Sequence, residues 1–204
     1  MKRLADFLFQ MLLTSVASRR PPDFVVGADG PGGAYLLRWF LTPWREWQSR
    51  LGKRAEVNPT RFNIAMQRAA RLLPNLYLHK FLRDDDDRAL HDHPSFAVSF
   101  ILRTGYVEHT IADGGIHVRT QYQAGSLRFM RTVHAHRIEL LRKVVPGGSS
   151  HVQLSDPVEP CWTLFLFGPT VREWGFHCPE RGWVHWKAFT AAGKPGEVGP
   201  GCGE

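Results

Sequence analysis

Only three cysteines are spread along the 204 residues, Cys161, Cys178 and Cys202, and none belongs to a Cys-x-x-Cys pair. An odd, scattered set excludes a disulfide scaffold and fits a reducing compartment. Long apolar runs are missing too: no stretch approaches the ~20 apolar residues of a spanning helix, so no membrane partner is expected. No internal repeat is present, which excludes a repeat array. A signal peptide is imitated only faintly, by Lys2-Arg3, the apolar residues 7–13 and the small Ser15 and Ala17. Asp6 and Gln10 interrupt it. Leu4, Phe7, Leu8, Met11 and Leu12 fall instead at i, i+3, i+4, i+7 and i+8, the stripe of an amphipathic helix. A cytoplasmic location follows from that choice.

What is present suits one globular domain with appendages. Hydrophobic residues make up 43% of the chain, and 7 Trp with 13 Phe supply a substantial core. The net charge of +7 is unevenly placed: residues 1–80 carry 13 Lys+Arg against 5 Asp+Glu, and the remainder 13 against 14. Such asymmetry can mark a nucleic-acid partner. The plainer account is a solvated, Arg-rich helix face, since the cations are not interleaved with a stacking platform.

The organisation divides in three. Residues 1–75 read as a basic helical extension with an early strand. The first helix ends at Arg19-Arg20-Pro21-Pro22, and residues 35–41 form the strand. Helices follow over 44–51 and 59–73, with Asn58 as cap and Pro59 at the first position. From residue 76 to 190 the pattern becomes short strands: 76–82, 95–103, 106–112, 116–122, 126–131, 135–142, 161–167, 171–177 and 183–189. Turn signals separate them, at Thr104-Gly105, Asp113-Gly114-Gly115, Ala124-Gly125, Pro146-Gly147-Gly148 and Gly168-Pro169. That spacing predicts an antiparallel sandwich or barrel. Residues 191–204, rich in Gly and Pro, read as a disordered tail.

Chemistry concentrates in Leu90-His91-Asp92-His93-Pro94. On a strand, residues i and i+2 share a face, so His91 and His93 aim two imidazoles at one spot. Gly105 lies twelve residues beyond His93, and His136 follows Gly125 by eleven. These spacings resemble the two cupin motifs, with the usual glutamate slot falling on Ala97 or Val98, and Arg131, Val133 and Leu140 replacing the second motif's Pro, Gly and Asn. The pattern is similar to the three-histidine variant found in thiol dioxygenases. It also resembles uncharacterised cupin-like proteins of bacterial and phage genomes, through Tyr77-Leu78-His79-Lys80-Phe81, Gly105-Tyr106-x-Glu108, His136-Arg137-x-Glu139-Leu140 and Arg172-x-Trp174-Gly175-Phe176. Ser95 departs from that group, which often carries Trp there, and residues 44–74 are an insertion.

The resemblance implies a cupin-type antiparallel jelly roll with a metal at His91, His93 and His136, and a homodimer paired through sheet edges. Three imidazoles suit Fe(II) first, with Zn, Ni, Cu or Mn as alternatives. Three protein ligands leave positions open for a small-molecule substrate and dioxygen. His134 shares the face of His136 and is either a substitute ligand or a donor behind it. If Thr104-Gly105 is a two-residue turn, residue 108 lies opposite 101 and Glu108 points into the barrel, several residues along from the histidines. There it would contact substrate or join a polar network. Arg172 is a candidate holder of a substrate carboxylate or phosphate. The acidic run Asp84 to Asp87 is read as solvated at the barrel mouth, with Arg83 and Arg88 as partners. His79, His109, His117, His151, His177 and His185 are read as ordinary core or surface histidines. The functional expectation is a dioxygenase-like oxidation of a small molecule; the alternatives are a non-catalytic ligand-binding protein and a metal-free sugar-nucleotide epimerase.

Overall fold

Alternating side chains build two antiparallel sheets, and the chain passes between them almost strand by strand. A computed structural model describes residues 1–28, 33–85, 89–142, 144–146, 152–154, 159–190 and 199–203. The first sheet runs in the order β1 (Phe24–Val26), β2 (Leu36–Phe40), β3 (Asn75–Phe81), β12 (Cys161–Phe167), β5 (Ala97–Arg103) and β8 (Leu127–Met130). The second consists of two ribbons. One is β7 (Ile116–Gln123), β6 (Gly105–Ala112) and β9 (Arg137–Leu140); the other is β14 (Gly182–His185), β13 (Gly175–Cys178) and β4 (Leu90–His91). Among the described residues, a single bridge between His91 and His136 joins the ribbons. Consecutive strands β3, β4, β5 and β6 thus alternate sheets, and β12 returns between β3 and β5. That is the crossed connectivity of a jelly roll, so the cupin-type architecture expected of the sequence is the one observed. A further hairpin, β10 (Val144–Pro146) with β11 (Val152–Leu154), precedes β12.

The period of two sorts side chains between faces. On β3, Leu78 lies under the first helix with Trp39, Phe100, Leu102 and Trp162. Tyr77 belongs to the opposite face, in a cluster with Ala97, Met130 and Phe165. Ile101, Tyr106, Ile138, Leu140 and Cys161 form a second inner cluster. The first helix, α1 (Lys2–Leu12), continues as a π-helical turn over Leu13–Ala17. It buries Ala5, Phe9 and Leu12 against the sheet, each large side chain contributing about 1.5–3 kcal/mol. Of the apolar stripe read from the sequence, only Leu12 is fully buried; Leu4, Phe7 and Met11 face outward. The sheet selects the face on which small Ala5 permits close approach and Phe9 meets Trp162 edge-on. Among the described residues, no helix is long and apolar enough to cross a membrane.

Several expectations need correction. Thr60, not Asn58, caps the helix α3 (Arg61–Ala70), its hydroxyl accepting from the Asn63 amide, so that Pro59 lies outside the helix. The preceding helix α2 extends over Trp44–Val57, beyond the predicted residue 51. Thr104-Gly105 is no hairpin turn: β5 and β6 belong to different sheets, and Thr104 turns the corner at a φ of 62°. Gly105 is required there because a Cβ would stand 2.2 Å from the Tyr122 carbonyl oxygen. The expected strand over 183–189 ends at His185 and gives way to a short helix, α4 (Trp186–Phe189). Cys178 and Cys202 form a disulfide, because residues 199–203 fold back onto β13 and α4. Buried Cys161 is the odd cysteine left unpaired. Asp86, Asp87 and Arg88, Gly147-Gly148, His151 and most of the expected tail (191–198) lie outside the described residues.

Candidate metal centre

β4 ends on the first imidazole, His91, and His93 follows two residues beyond it. Its pairing with β13 sets Phe176 opposite His91, and the alternation turns His91 and His93 to one side and Asp92 to the other. Asp92 is 1% exposed and holds four donors: the Gly175 amide at 2.9 Å, Arg172 Nη1 at 2.9 Å, Trp183 Nε1 at 3.0 Å and His177 Nε2 at 3.1 Å. A buried carboxylate so satisfied ties β4 to β13 and β14 and fixes where the two histidines point. Arg172, a candidate substrate contact in the sequence, is committed to Asp92 and to the Thr132 carbonyl oxygen at 2.9 Å.

His136 arrives from the other ribbon. Its amide donates to the His91 carbonyl at 2.9 Å and the His91 amide returns the bond at 2.8 Å, so the two residues stand directly opposite. The ring centroids of His91, His93 and His136 lie 4.9–5.2 Å apart. One nitrogen from each ring falls within 4.8 Å of the others, the geometry of a shared cation. Nε2 of His93 is 2.8 Å from Nε2 of His136; at that distance the two nitrogens share either a proton or a metal.

Glu108 settles which His136 nitrogen is free. It is 2% exposed, and its Oε1 stands 2.8 Å from His136 Nδ1. An ionised carboxylate only accepts, so Nδ1 carries the hydrogen and Nε2 presents its lone pair toward His93. Arg128 on β8 reaches across from the first sheet, Nε at 2.9 Å and Nη2 at 2.8 Å from Oε2. His134 Nε2 lies 3.0 Å from Oε1 and 2.8 Å from Arg128 Nη2, and serves one of them at a time. Burial alone would raise the Glu108 carboxyl. Hydrogen bonds from His134 and His136 and the charge of Arg128 outweigh it and hold the group well below the usual carboxylate range. The sequence reading set Glu108 away from the histidines; the structure sets it against one of them. The error came from treating β5 and β6 as a hairpin, whereas β6 pairs with β9 and brings residue 108 opposite Ile138. Glu108, His134 and His136 also form a second convergent group that shares His136 with the first.

The donor set fits a divalent transition ion. Burial pushes the His91 imidazole down to about 4, against an opposing effect of Asp85, and drives His93 well below its ordinary value. Both rings are neutral at pH 7, the form that metal binding requires. Phe167, Trp174 and Phe176 wall the histidines, with ring centroids 6.0–6.4 Å away. Instead of lying solvated, Asp84 and Asp85 strap the preceding loop to β9 by accepting from the Leu140 and Ile138 amides, both at 2.7 Å. Asp84 also pairs with Arg142. Two further features escaped the sequence reading. Asp92 carries no signal beyond its place between two histidines. Arg38 and His79 meet only because β2 adds itself to the sheet beside β3.

No family model matches the sequence, and no curated protein matches it. Among solved structures, one variant of Bacillus subtilis oxalate decarboxylase is 17% identical over 50% of this chain and 23% of its own, with a TM-score of 0.34. A second variant is 13% identical over 87% and 32%, at 0.41. An uncharacterised conserved protein from Klebsiella pneumoniae with a double-stranded beta-helix domain is 12% identical over 50% and 69%, at 0.33. This chain thus spans about a third or less of the oxalate decarboxylase chains it matches.

Proposed function

We propose that this chain is a metal-binding cupin-type protein that holds one divalent transition ion through His91, His93 and His136 and oxidises a small molecule with dioxygen. Fe(II) is the first choice of ion, with Zn, Ni and Mn as alternatives. The supporting observation is the convergence of three imidazoles on one point, backed by Glu108. When bound, such an ion supplies Lewis acidity and, for iron, one-electron chemistry toward dioxygen. The chain's own part is positional. Asp92 orients His91 and His93, Glu108 holds the proton on His136 Nδ1, and Phe167, Trp174 and Phe176 exclude water from one side. With three imidazole ligands and no bound carboxylate, the centre would keep the full cationic charge of its ion and favour an anionic donor such as a thiolate.

A non-catalytic ligand-binding role is the second reading, because Glu108 is engaged by Arg128 and two histidines and is therefore not free as a base. Elemental analysis of the purified chain, with oxygen uptake in the iron-loaded form, separates the two. His91→Ala, His93→Ala and His136→Ala should each lose most of the metal, while His177→Ala retains it. Full occupancy in His136→Ala overturns this assignment and transfers the role to His134.

A further inference from the structure

The two helices inserted between β2 and β3 pack on each other and leave an apolar flank in water. Gln48 Nε2 donates to the carbonyls of Ala70 and Leu73, both at 3.0 Å, so the start of α2 lies against the end of α3. Farther along the same antiparallel pair, Gly52 stands over the Gln67 side chain. The buried residues of the two helices are Ala55 on α2 and Asn63 and Ala70 on α3. The inward rows are therefore Gln48, Gly52 and Ala55 against Asn63, Gln67 and Ala70. These are small or amide side chains, which let the backbones approach without using the larger apolar residues.

Helix geometry places those larger residues elsewhere. The residue before each inward one is turned about 100° from it. In an antiparallel pair that rotation leads to the same flank from both helices. Trp47 and Arg54 on α2, with Phe62, Met66 and Ala69 on α3, occupy those positions, and all five are exposed. Phe62 is 66% exposed, Trp47 49% and Met66 41%. Trp44 meets the Trp47 ring edge-on at 5.1 Å and fixes its direction. Charge on the hairpin is as one-sided as its burial. Residues 44–73 carry seven Lys or Arg against Glu46 and Glu56, and all seven cations are exposed. Glu46 pairs with Arg50, whereas Arg54 stands on the apolar flank itself.

We propose that this flank docks the protein on a membrane surface containing anionic phospholipid. Trp47, Phe62 and Met66 enter the headgroup boundary, and Arg54 with the surrounding cations meets lipid phosphates. Apolar side chains rimmed by Lys and Arg are what such an interface accepts. A second copy of the chain fits poorly, since each hairpin would bring a net charge of +5 (seven less two) against the same charge. Nucleic acid fits poorly as well, because on this flank Trp47 and Phe62 alone offer a ring for a base to stack on. The want of a long apolar run bears on crossing a bilayer and leaves attachment to its surface open. The proposal is independent of the metal reading.

The full chain would be floated with vesicles of phosphatidylcholine alone and of phosphatidylcholine with phosphatidylglycerol, in a ratio of about two to one. Affinity for the mixed vesicles should be about tenfold higher or more, and should fall at high salt as the charges are screened. The paired change Phe62→Ser and Met66→Ser, and separately Arg54→Glu, should each lower it about tenfold. Melting temperature should not move, because all three residues are exposed. Absence of flotation overturns the proposal, and so does equal affinity for the two compositions. Unchanged flotation of the Phe62/Met66 variant also overturns it; loss in Phe7→Ser would then assign the contact to α1. A dimer that the same paired change dissolves makes the flank a self-association surface instead. Tighter binding to a single-stranded oligonucleotide than to vesicles, lost in Arg54→Glu, makes it a nucleic-acid surface. Either result refutes the lipid assignment.

Discussion

Replacing Glu108 by Gln tests the centre at the point where its electrostatics converge. The carboxylate accepts from Arg128 through two nitrogens, from His136 Nδ1 and from His134. An amide keeps one accepting oxygen and turns an NH2 toward donors on the other side. One charge-assisted bond is lost, about 1.5–3 kcal/mol, and a buried donor is left unmatched, about 1 kcal/mol more. A total of roughly 3 kcal/mol corresponds to a fall in Tm of about 6–12 °C for a chain of this size. The His136 ring also loses the group that pins its tautomer, so metal affinity should drop about 10–100-fold without vanishing. The sign with pH follows from the depressed carboxyl. Its stabilisation is complete above the unfolded value of ~4.3 and is lost as pH falls through the lower folded value, so parent and variant should converge in acid. Thermal melts from pH 7 to pH 3, with metal Kd by chelator competition, measure both. An unchanged Kd refutes the orienting role, and metal loss equal to that of His136→Ala makes Glu108 a ligand in its own right.

Asp92→Asn should destabilise the fold by about 3–5 kcal/mol, since it removes the charge that four donors surround, and denaturant unfolding reads this directly. In metal-free protein His91 alone should contribute a loss of order 2–3 kcal/mol between pH ~6.5 and about 4, where its unfolded ring takes up a proton that the buried one refuses; His91→Leu should remove that share of the slope and leave the shares of the buried His79 and His93. Cys202→Ser should cost about 3 kcal/mol, the entropy of closing a loop between residues 24 apart, with metal content unchanged.

What was legible in the sequence depended on local periods. The strand position of His91 follows from a period of two, although β4 stops there and leaves His93 just beyond it, and Gly-rich turns bounded most strands within a few residues. What was hidden depended on pairings between distant segments. Asp92 meets Gly175 across 83 residues, and Arg38 meets His79 across 41. No local pattern announces either contact. Glu108 was placed on the correct side of its strand but beside the wrong neighbours, because side-chain alternation survives an error in strand pairing whereas register does not. The α1 stripe was misjudged for a related reason: which face of a helix is buried depends on the shape of the sheet it meets, here the space between Phe100 and Trp162.

Among the described residues, the backbone bridge between His91 and His136 is the one β-bridge that joins the two ribbons of the second sheet. Hydrogen exchange at those two amides reports how often the seam parts. A cation gripped by the side chains of the same residues spans that seam a second time, and only the closed form presents all three nitrogens together. Occupancy then adds RT ln(1 + [M]/Kd) to the free energy of opening. Loading the centre and sealing the wall of the barrel are, in this architecture, a single equilibrium.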